Sequence, residues 1–545
     1  MPNELDFSAN AKNVNVKNIG RRIPLKNTGT TEQLKAGMVI IGGGGSGLVA
    51  AVRAAEAGVK NIIVLEKNKR AGGYAISAGG MMAYDSPAQR RLGIKIDKDE
   101  TFKEKMARVN WQVNARLIRN VINTSGNVIG WFESKGIRFD DIIQFAAAGE
   151  APRVFHKING TPQGRAGQPI MQAMMKDCEK HNIRIFLKTP ATRILTNKEG
   201  HITGVRATGE NGTFDISTDC VVVTAGEFGP NPEMVKKFFP SVRDPESHMN
   251  PTHQGDGIKM ADEAGAWIED VVAKHMFPMT ASHRLGVFLL RPETIWVNKN
   301  GVRFIDEALP IHHMESAVNQ LMLQPGHTGF IVFDTGIVKQ ILSKREVLSG
   351  QEKDTGENGK WFDVMEENLK QEGDEGDGIA VPQPMVPPPG MSEEEGGPPP
   401  GFLNSPKKTT KRANTWEGIA DFMGVKPEVL KTTIKQYNEY CAAAYDADFV
   451  KEARYLLPLQ EPPFYATVVN QCFHSTMGGI RVSHLMEVIS KQSTLIPGLY
   501  AAGDNANSFV YADYDFRYPG TSLGFALISG YIAGDSAAAY VKGKR

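Results

Sequence analysis

The 545-residue sequence has few cysteines, and they occur in none of the spacings that usually bind a group. The four cysteines lie far apart, at Cys178, Cys220, Cys441 and Cys472, and form no C-x-x-C or C-x-x-C-H motif. The pattern gives no support for a disulfide framework, an iron–sulfur site or c-type haem attachment, and it fits a reducing compartment. We assign no metal site.

The sequence also lacks a long apolar run and an excess of charge of either sign. No apolar stretch is long enough to span a membrane, and residues 1–36 are polar without the apolar centre of a signal peptide, so we expect a cytoplasmic protein with no membrane span. The 62 basic and 61 acidic residues leave a formal net charge of +1, so nothing indicates a nucleic-acid partner. The length predicts two or three domains.

A glycine-rich turn between a strand and a helix dominates the first part of the chain. The apolar residues 38–41 predict a buried parallel strand, and Gly42, Gly44 and Gly47 follow in G-x-G-x-x-G spacing before a helical run. Gly42 permits the tight turn, Gly44 the approach of a pyrophosphate, and Gly47 close packing of helix on strand. A second strand ends at Glu66, 24 residues after Gly42, where a ribose-binding acid is expected. The unit predicts a dinucleotide-binding fold.

A second glycine-rich segment, G-G-x-x-x-S-x-G-G-M at residues 72–81, follows this unit directly. Together the two segments resemble the FAD-binding domain of the fumarate reductase and 3-ketosteroid dehydrogenase (flavocytochrome c-like) superfamily. Further segments resemble that superfamily in the same order along the chain; they lie at 190–193, 204–205, 221–229, 255–257, 265–266, 296–307, 463–466, 476–479 and 498–504.

The resemblance implies an α/β fold with a Rossmann-like FAD-binding domain of the GR2 type and an inserted α+β substrate-capping domain. We expect a lead-in at 1–36, the first part of the FAD-binding domain at 37–266, the capping domain at 267–462 and the C-terminal part of the FAD-binding domain at 463–545. Residues 372–405, rich in Pro, Gly and Glu, predict an exposed loop within the capping domain. Residues 414–445 predict two amphipathic helices.

FAD, bound non-covalently, is the cofactor that the resemblance implies. The residues expected to bind it are Gly42, Gly44, Gly45, Ser46, Gly47, Glu66, Lys67, Gly72, Gly73, Ser77, Ala78, Gly79, Gly80, Ala191, Thr192, Ala225, Gly226, Gly503, Asp504, Ser522 and Leu523. Asp504 is placed to accept a hydrogen bond from the ribityl chain. The final helix, opening at 520–526, presents N–H groups that suit the N1–O2 edge of a reduced flavin.

Such enzymes exchange a hydride with one carbon of a C–C bond while a protein group handles the proton on its neighbour. In the carboxylate reductases of the superfamily an arginine delivers the proton, and Ile311 stands at its position here. A second arginine, which grips the carboxylate, aligns with Thr521, four residues from Arg517. The histidine of the H-T-M-G-G motif aligns with Ser475, with His474 one step earlier. Fumarate is therefore not the expected substrate.

The segment 516–520 instead resembles the Tyr-Pro-Gly segment of 3-ketosteroid dehydrogenases. That match predicts that Tyr518, with the N–H of Ser522, polarises a substrate carbonyl; Tyr514 and Arg517 are further catalytic candidates. Met81, His156 and the apolar residues between 276 and 289 are expected along the substrate wall.

We expect an FAD-dependent ene reductase or dehydrogenase acting on a C=C bond conjugated to a carbonyl, with a 3-oxo steroid or bile-acid-like small molecule as the leading substrate. The alternative within this class is a small unsaturated carboxylate, such as a urocanate-, cinnamate- or fumarate-like acid, held by Arg517. A third reading is a flavin-binding electron-transfer or assembly subunit, which the complete capping domain argues against. The electron donor or acceptor is a partner that the sequence does not identify.

Overall fold

The computed structural model describes residues 31–139, 141–143, 152–158, 167–210, 212–242, 246–247, 251–280, 288–344, 409–506 and 509–543. The predicted loop at 372–405 and most of the predicted lead-in lie outside these residues. The end of the lead-in, Glu32–Lys35, is a strand rather than an irregular segment, because it pairs with Phe214–Ser217.

The described helices alternate with strands along most of the chain. In chain order they are α1 (Gly45–Glu56), α2 (Pro87–Arg91), α3 (Lys98–Arg108), α4 (Ala115–Glu133), α5 (Gln168–Lys180), α6 (Pro232–Phe238), α7 (Asp256–Glu263), α8 (Leu309–His312), α9 (Met314–Met322), α10 (Thr335–Lys344), α11 (Trp416–Met423), α12 (Pro427–Ala443) and α13 (Thr521–Gly543).

The described strands are mostly short. In chain order they are β1 (Glu32–Lys35), β2 (Met38–Ile41), β3 (Ile62–Leu65), β4 (Gly80–Met82), β5 (Asp141–Ile143), β6 (Phe155–Lys157), β7 (Arg184–Phe186), β8 (Ala191–Thr196), β9 (Ile202–Gly209), β10 (Gly212–Ser217), β11 (Val221–Val223), β12 (Glu246–Ser247), β13 (Ala273–Thr280), β14 (Ile295–Asn298), β15 (Thr328–Asp334), β16 (Thr410–Ala413), β17 (Phe464–Met477), β18 (Glu487–Ile489) and β19 (Leu495–Ala501).

A six-stranded sheet in the order β18-β19-β11-β2-β3-β7 forms the centre of the fold. Its strands from β19 to β7 run parallel, and β2 and β3 are buried throughout their length. Parallel strands that are covered on both faces need continuous apolar runs, which explains the sequence of residues 38–41. The carboxyl ends of β2, β3 and β11 therefore lie side by side, and this edge is where ligands of such sheets bind.

Three further sheets surround the central one. A four-stranded sheet has the order β1-β10-β9-β8, a three-stranded sheet has the order β4-β6-β5, and a larger sheet is built on β12-β17-β15-β14 with β13 and β16 also paired to β17. The hairpin of β8 and β9 contains residues of the segments at 190–193 and 204–205, which resemble the superfamily.

The buried apolar side chains form two clusters. The first covers the central sheet and its helices, and the second lies between Phe288 and Val469, with members from α11, α12, β14 and β15. Strand β17 contributes Phe464 and Val469 to the second cluster and Phe473 and Met477 to the first. The domain boundaries at 266 and 462 stay predictions. Among the described residues, no helix is both long and apolar enough to cross a bilayer.

Candidate active site

A cavity of about 410 Å³ opens at the carboxyl ends of the central parallel strands. One part of its wall comes from the ends of β2, β3 and β11 and from the segment after β3. The other part comes from β13, β17 and the N-terminus of α13. The cavity is therefore lined by the sheet edge that binds dinucleotides and by strands of the sheet built on β17.

The turn from β2 into α1 has the geometry that its glycines predict. Gly42 has φ +104°, and a Cβ there would lie 2.4 Å from the carbonyl oxygen of Thr224. A Cβ on Gly47 would lie 2.0 Å from the carbonyl oxygen of Gly42, so helix and turn pack too closely for a side chain. At Gly44 a Cβ would meet no atom within 4 Å, and Gly44 lines the cavity. The open space at Gly44 is where a ligand can approach the backbone.

Glu66 holds this turn to the end of β3. Its Oε2 accepts the N–H of Gly43 at 2.9 Å, and its Oε1 accepts the N–H of Asn68 at 2.8 Å. Each carboxylate oxygen has a further lone pair, so these bonds leave Glu66 able to accept from a ribose hydroxyl. Lys67 pairs with Asp256 at 2.6 Å on the same side of the cavity.

The structure brings most residues predicted to bind FAD to the cavity wall. They include the segment from Gly73 to Gly80, Ala191, the turn of Ala225 and Gly226, and Ser522 with Leu523. The predicted residues that do not line the cavity are Gly47, Gly72, Thr192 and Gly503. Gly47 and Gly503 pack against neighbouring elements instead.

Asp504 carries a buried oxygen that has no hydrogen-bond partner. Its Oδ1 is unpaired although the residue lines the cavity. The pKa of Asp504 is raised to about 7, chiefly by burial and also by the charge of Glu227, while His253 opposes the shift. An unpaired buried polar atom needs a partner, and a hydroxyl-bearing ligand supplies one. With the glycine turn and Glu66, this orphaned oxygen fits the ribityl chain of FAD.

The N-terminus of α13 lies against the cavity at Gly520, Ser522 and Leu523. The N–H of Thr521 is not available to a ligand, because it donates to the hydroxyl of Tyr514 at 3.0 Å. Burial raises the pKa of Tyr514 to about 12, while the N–H groups of Thr521 and Ser522 lower it. Tyr514 is therefore a neutral hydroxyl that caps the helix.

A β-bulge in β17 turns adjacent side chains toward the cavity. His275 pairs with Ser475, whereas the next residue, Met276, pairs with Phe473, so His474 is the extra residue of the bulge. Successive side chains of a regular strand point to opposite faces, and a bulge re-aims them. As a result His275, His474 and Ser475 all line the cavity.

These two histidines are uncharged at neutral pH. Burial lowers the pKa of His275 well below its ordinary value, with His474 adding to the effect, and burial lowers the pKa of His474. The His275 ring stacks on Tyr514 with centroids 3.8 Å apart, and its Nδ1 lies 3.3 Å from the hydroxyl of Ser475. The Nδ1 of His474 is buried without a partner. Neutral imidazoles donate hydrogen bonds without adding charge.

Three of the four predicted catalytic residues lie off the cavity wall. Tyr518 is fully buried in the core against Tyr84 and Phe509, with the ammonium of Lys105 4.9 Å from its ring centroid. Its hydroxyl has no hydrogen-bond partner, and burial with the charges of Glu104 and Asp515 raises its pKa. In the structure the ring of Tyr518 therefore packs in the core and not on the cavity wall, and its catalytic role stays a prediction.

Arg517 and Tyr514 also differ from the prediction. The guanidinium of Arg517 bonds to Glu104 on α3, and the residue does not line the cavity. Tyr514 lies behind His275 in the stack described above. Of the four, Ser522 alone lines the cavity.

The predicted substrate wall is also relocated. His156 is fully buried, with its Nε2 2.6 Å from the hydroxyl of Ser86 and its Nδ1 2.9 Å from the carbonyl of Val154, so it belongs to the core. Phe288 stacks on Phe333 in the second apolar cluster. Ile311 is buried and cannot handle a proton. The wall comes instead from Tyr74, Phe155 and the imidazoles.

The structure also contains a carboxylate–imidazole pair at the cavity that the sequence analysis did not predict. Glu227 is fully buried, and its Oε1 lies 3.2 Å from Nδ1 of His253, which lines the cavity. Its Oε2 accepts the N–H of Gly229 at 2.5 Å and the hydroxyl of Thr476 at 3.4 Å. The sequence feature that could have indicated this pair is a glutamate within the glycine-containing segment at 224–229.

Known proteins resemble this chain over most of its length. The family described as FAD binding domain matches residues 37–523. A vinyl phenol reductase of Lactiplantibacillus plantarum is 27% identical, over 92% of this chain and 96% of its own. A probable fumarate reductase, Ifc3, of Shewanella frigidimarina is 27% identical, over 93% of this chain and 75% of its own. The structure of a 3-ketosteroid-Δ4-(5α)-dehydrogenase of Rhodococcus jostii RHA1 with 4-androstene-3,17-dione has a TM-score of 0.68 at 21% identity and covers 94% of this chain and 99% of that chain.

Proposed function

The chain belongs to the FAD binding domain family and is an FAD-dependent oxidoreductase of the kind that acts on C=C bonds; from this premise we propose that its substrate is an alkene conjugated to an uncharged, oxygen-bearing group. The superfamily, the α/β fold with a Rossmann-like domain and the FAD cofactor that the sequence predicted are confirmed. FAD supplies hydride chemistry at its N5 atom.

The observation that carries the proposal is the neutral character of the wall formed by β13 and β17. His275, His474 and Ser475 are its polar groups, and burial keeps both imidazoles uncharged. Among the described lining residues Lys67 is the one lysine or arginine, and it pairs with Asp256. A substrate carboxylate needs a charged, preferably bidentate partner when it leaves water.

We assign His474 and Ser475 to the conjugated oxygen of the substrate. Negative charge develops on that oxygen as a hydride adds to the far carbon, and fixed hydrogen-bond donors stabilise it in a site that excludes water. The unpaired Nδ1 of His474 indicates a ring that still lacks a partner. His275 orients Ser475 through its Nδ1 contact and is held in turn by Tyr514.

Two substrate types carry an uncharged oxygen. In a 3-oxo-Δ4 steroid or a similar bulky enone the carbonyl oxygen also takes up the developing charge, whereas the vinyl phenol that names one relative meets the requirement for an uncharged oxygen only. The steroid dehydrogenase supports the proposal through its fold alone.

A second candidate is a small unsaturated carboxylate. The fumarate reductase named above favours it. Against it, Arg517 bonds to Glu104 rather than facing the cavity. The experiment below therefore tests carboxylates as the competing substrates.

The experiment is anaerobic reoxidation of the dithionite-reduced holoenzyme, followed by flavin absorbance. A 3-oxo-Δ4 steroid, a vinyl phenol, urocanate and fumarate are offered separately. Reoxidation by an uncharged substrate, with the carboxylates at least tenfold slower, is the expected result. Reoxidation by the carboxylates alone contradicts the proposal.

A matched pair of variants sharpens the comparison. His474→Gln removes the proposed donor, and Arg517→Gln removes the competing clamp. We expect His474→Gln to slow reoxidation about 100-fold or more, as loss of an oxyanion donor does, and Arg517→Gln to leave it within about threefold. The reverse order of effects contradicts the assignment.

A further inference from the structure

Reduction of a C=C bond requires a proton as well as a hydride, and the expected donor position holds Ile311. Its side chain is apolar and buried. The proton must therefore come from another group on the cavity wall. This question rests on the proposed function, since it concerns the same reaction.

Burial makes two of the three wall imidazoles poor carriers of a proton. Desolvation lowers the pKa of both His275 and His474. A general acid must hold its proton at the working pH, so these rings serve better as neutral hydrogen-bond donors. His253 differs from both in its contacts, because a carboxylate lies beside its Nδ1.

His253 is the wall imidazole that has a counter-charge. The Glu227 carboxylate lies 3.2 Å from its Nδ1, is itself almost completely buried, and is fixed by Gly229 N–H and Thr476. A buried carboxylate on one ring nitrogen orients an imidazole and compensates the charge of its protonated form. Asp504 is a titratable group near the pair, and both Glu227 and His253 influence its pKa.

His253 lines the cavity beside Gly226. Its Nδ1 is occupied by Glu227, and its Nε2 lies 3.6 Å from where a Cβ on Gly226 would stand, in the cavity wall. No described residue bonds to this Nε2. The ring of Tyr74 lies between His253, at 5.5 Å, and His474, at 6.1 Å. Thr476, whose hydroxyl donates to Glu227, is two residues beyond His474 on β17.

From these contacts we propose that His253, held by Glu227, is the general acid of the reaction. Two C–H bonds form as the π bond breaks: the hydride brings its own electron pair to one carbon, and the π pair, now on the neighbouring carbon, takes the proton of His253 Nε2 as the N–H bond breaks. His253 is left neutral and takes up a proton from water. In the direction of dehydrogenation the same nitrogen accepts the proton. Glu227 is a positioning residue.

The test compares two electron acceptors in the reduced holoenzyme of His253→Gln and Glu227→Gln. The alkene is whichever of the four substrates reoxidises the wild type fastest, so a carboxylate result contradicts the proposed substrate class while this test still proceeds. Ferricyanide is the second acceptor, because it takes electrons singly and adds no proton to carbon. His201→Gln, at an exposed site, is the control.

In His253→Gln we expect reoxidation by the alkene to slow by about 100-fold or more, the usual contribution of a general acid. Ferricyanide reoxidation, FAD content and the flavin spectrum should stay at wild-type values. Imidazole added to His253→Ala should restore part of the alkene rate. Glu227→Gln should lose about tenfold, because the ring remains but its counter-charge is gone.

Three results overturn the inference. One is an unchanged alkene rate in His253→Gln. Another is equal slowing with both acceptors, or loss of FAD with a normal rate per bound flavin, which makes His253 a cofactor ligand. The third is a Glu227→Gln variant that matches the wild type.

Discussion

At the scale of single residues, buried polar atoms without partners separate the cavity from the core. Asp504 Oδ1 and His474 Nδ1 are such atoms, and both residues line the cavity, where a ligand can complete their hydrogen bonds. Tyr518 also has an unpaired buried oxygen, but it lies in the core. The unpaired atoms of Asp504 and His474 therefore favour ligand binding, whereas the unpaired oxygen of Tyr518 lowers the stability of the folded state.

Asp504 predicts a pH-dependent stability of the FAD-free protein. Its pKa of about 7 exceeds the ordinary value of 3.8, so the native state binds more protons than the unfolded state between these values. Stability from this group is then fully present below pH 4 and declines as the pH rises to 7. Asp504→Asn should abolish the decline. The difference in free energy of unfolding between this variant and the wild type should therefore grow in favour of the variant by on the order of 2 kcal/mol between pH 5 and 7.5.

Thermal unfolding of both FAD-free proteins across this pH range measures the effect. A difference in free energy of unfolding between the two proteins that stays constant with pH contradicts the raised pKa of Asp504. The same variant should bind FAD less tightly, by an amount measured through flavin fluorescence.

Tyr518→Phe should leave catalysis close to that of the wild type. Its hydroxyl is buried, unpaired and off the cavity wall, so the variant should reoxidise within about threefold of the wild-type rate. Stability should be equal or higher by up to about 1 kcal/mol, since a buried unpaired hydroxyl is removed. Turnover and thermal melts measure both. A strong loss of turnover with FAD retained would restore the role that the Tyr-Pro-Gly match assigned to Tyr518.

At the scale of elements, the sequence predicts what short-range spacing encodes. The strand, glycine turn and helix from Met38 to Glu56 follow from backbone sterics, which involve neighbours along the chain. The two helices predicted within 414–445 and the final helix also formed, because their apolar periodicity is local.

Two features of the site depend on contacts between segments that are separated in the chain, so short-range spacing does not predict them. The bulge at His474 exists because β17 pairs with β13, some 200 residues earlier. The pair of Glu227 and His253 depends on a loop that brings them to 3.2 Å. The orientation of Tyr518 follows from Lys105 and Tyr84, which no local match contains.

The glycine turn allows a matched comparison of folding and binding. A Cβ on Gly44 meets nothing within 4 Å, so Gly44→Ala should fold with a stability within about 1 kcal/mol of the wild type, yet bind FAD at least tenfold less tightly. A Cβ on Gly47 would lie 2.0 Å from a carbonyl oxygen, so Gly47→Ala should destabilise the apoprotein by about 1–3 kcal/mol. Urea unfolding and FAD titration measure the two variants. Equal losses of stability in both would contradict the assignment of Gly44 to the ligand side.

At the scale of the whole molecule, β17 joins the two apolar clusters. Its first residues pack with the cluster between Phe288 and Val469, its last residues pack with the cluster of the central sheet, and His474 lies among these last residues, between Phe473 and Met477. Helices α11 and α12 belong to the second cluster and contribute no residue to the cavity wall. A ligand in the cavity therefore acts on the second cluster chiefly through this strand.

Hydrogen exchange with and without FAD tests that coupling. Because FAD binds the native state, it lowers the population of opened forms by RT ln(1 + [L]/Kd), about 2.7 kcal/mol at 100-fold excess over Kd. We expect slower exchange along the whole of Phe464–Met477, including the half that packs in the second cluster, and little change in Trp416–Met423 and Pro427–Ala443. Protection that ends at the bulge would show that the bulge uncouples the two halves of the strand. Equal protection of the two helices would show that the clusters open together, so that FAD stabilises the described fold as one cooperative unit.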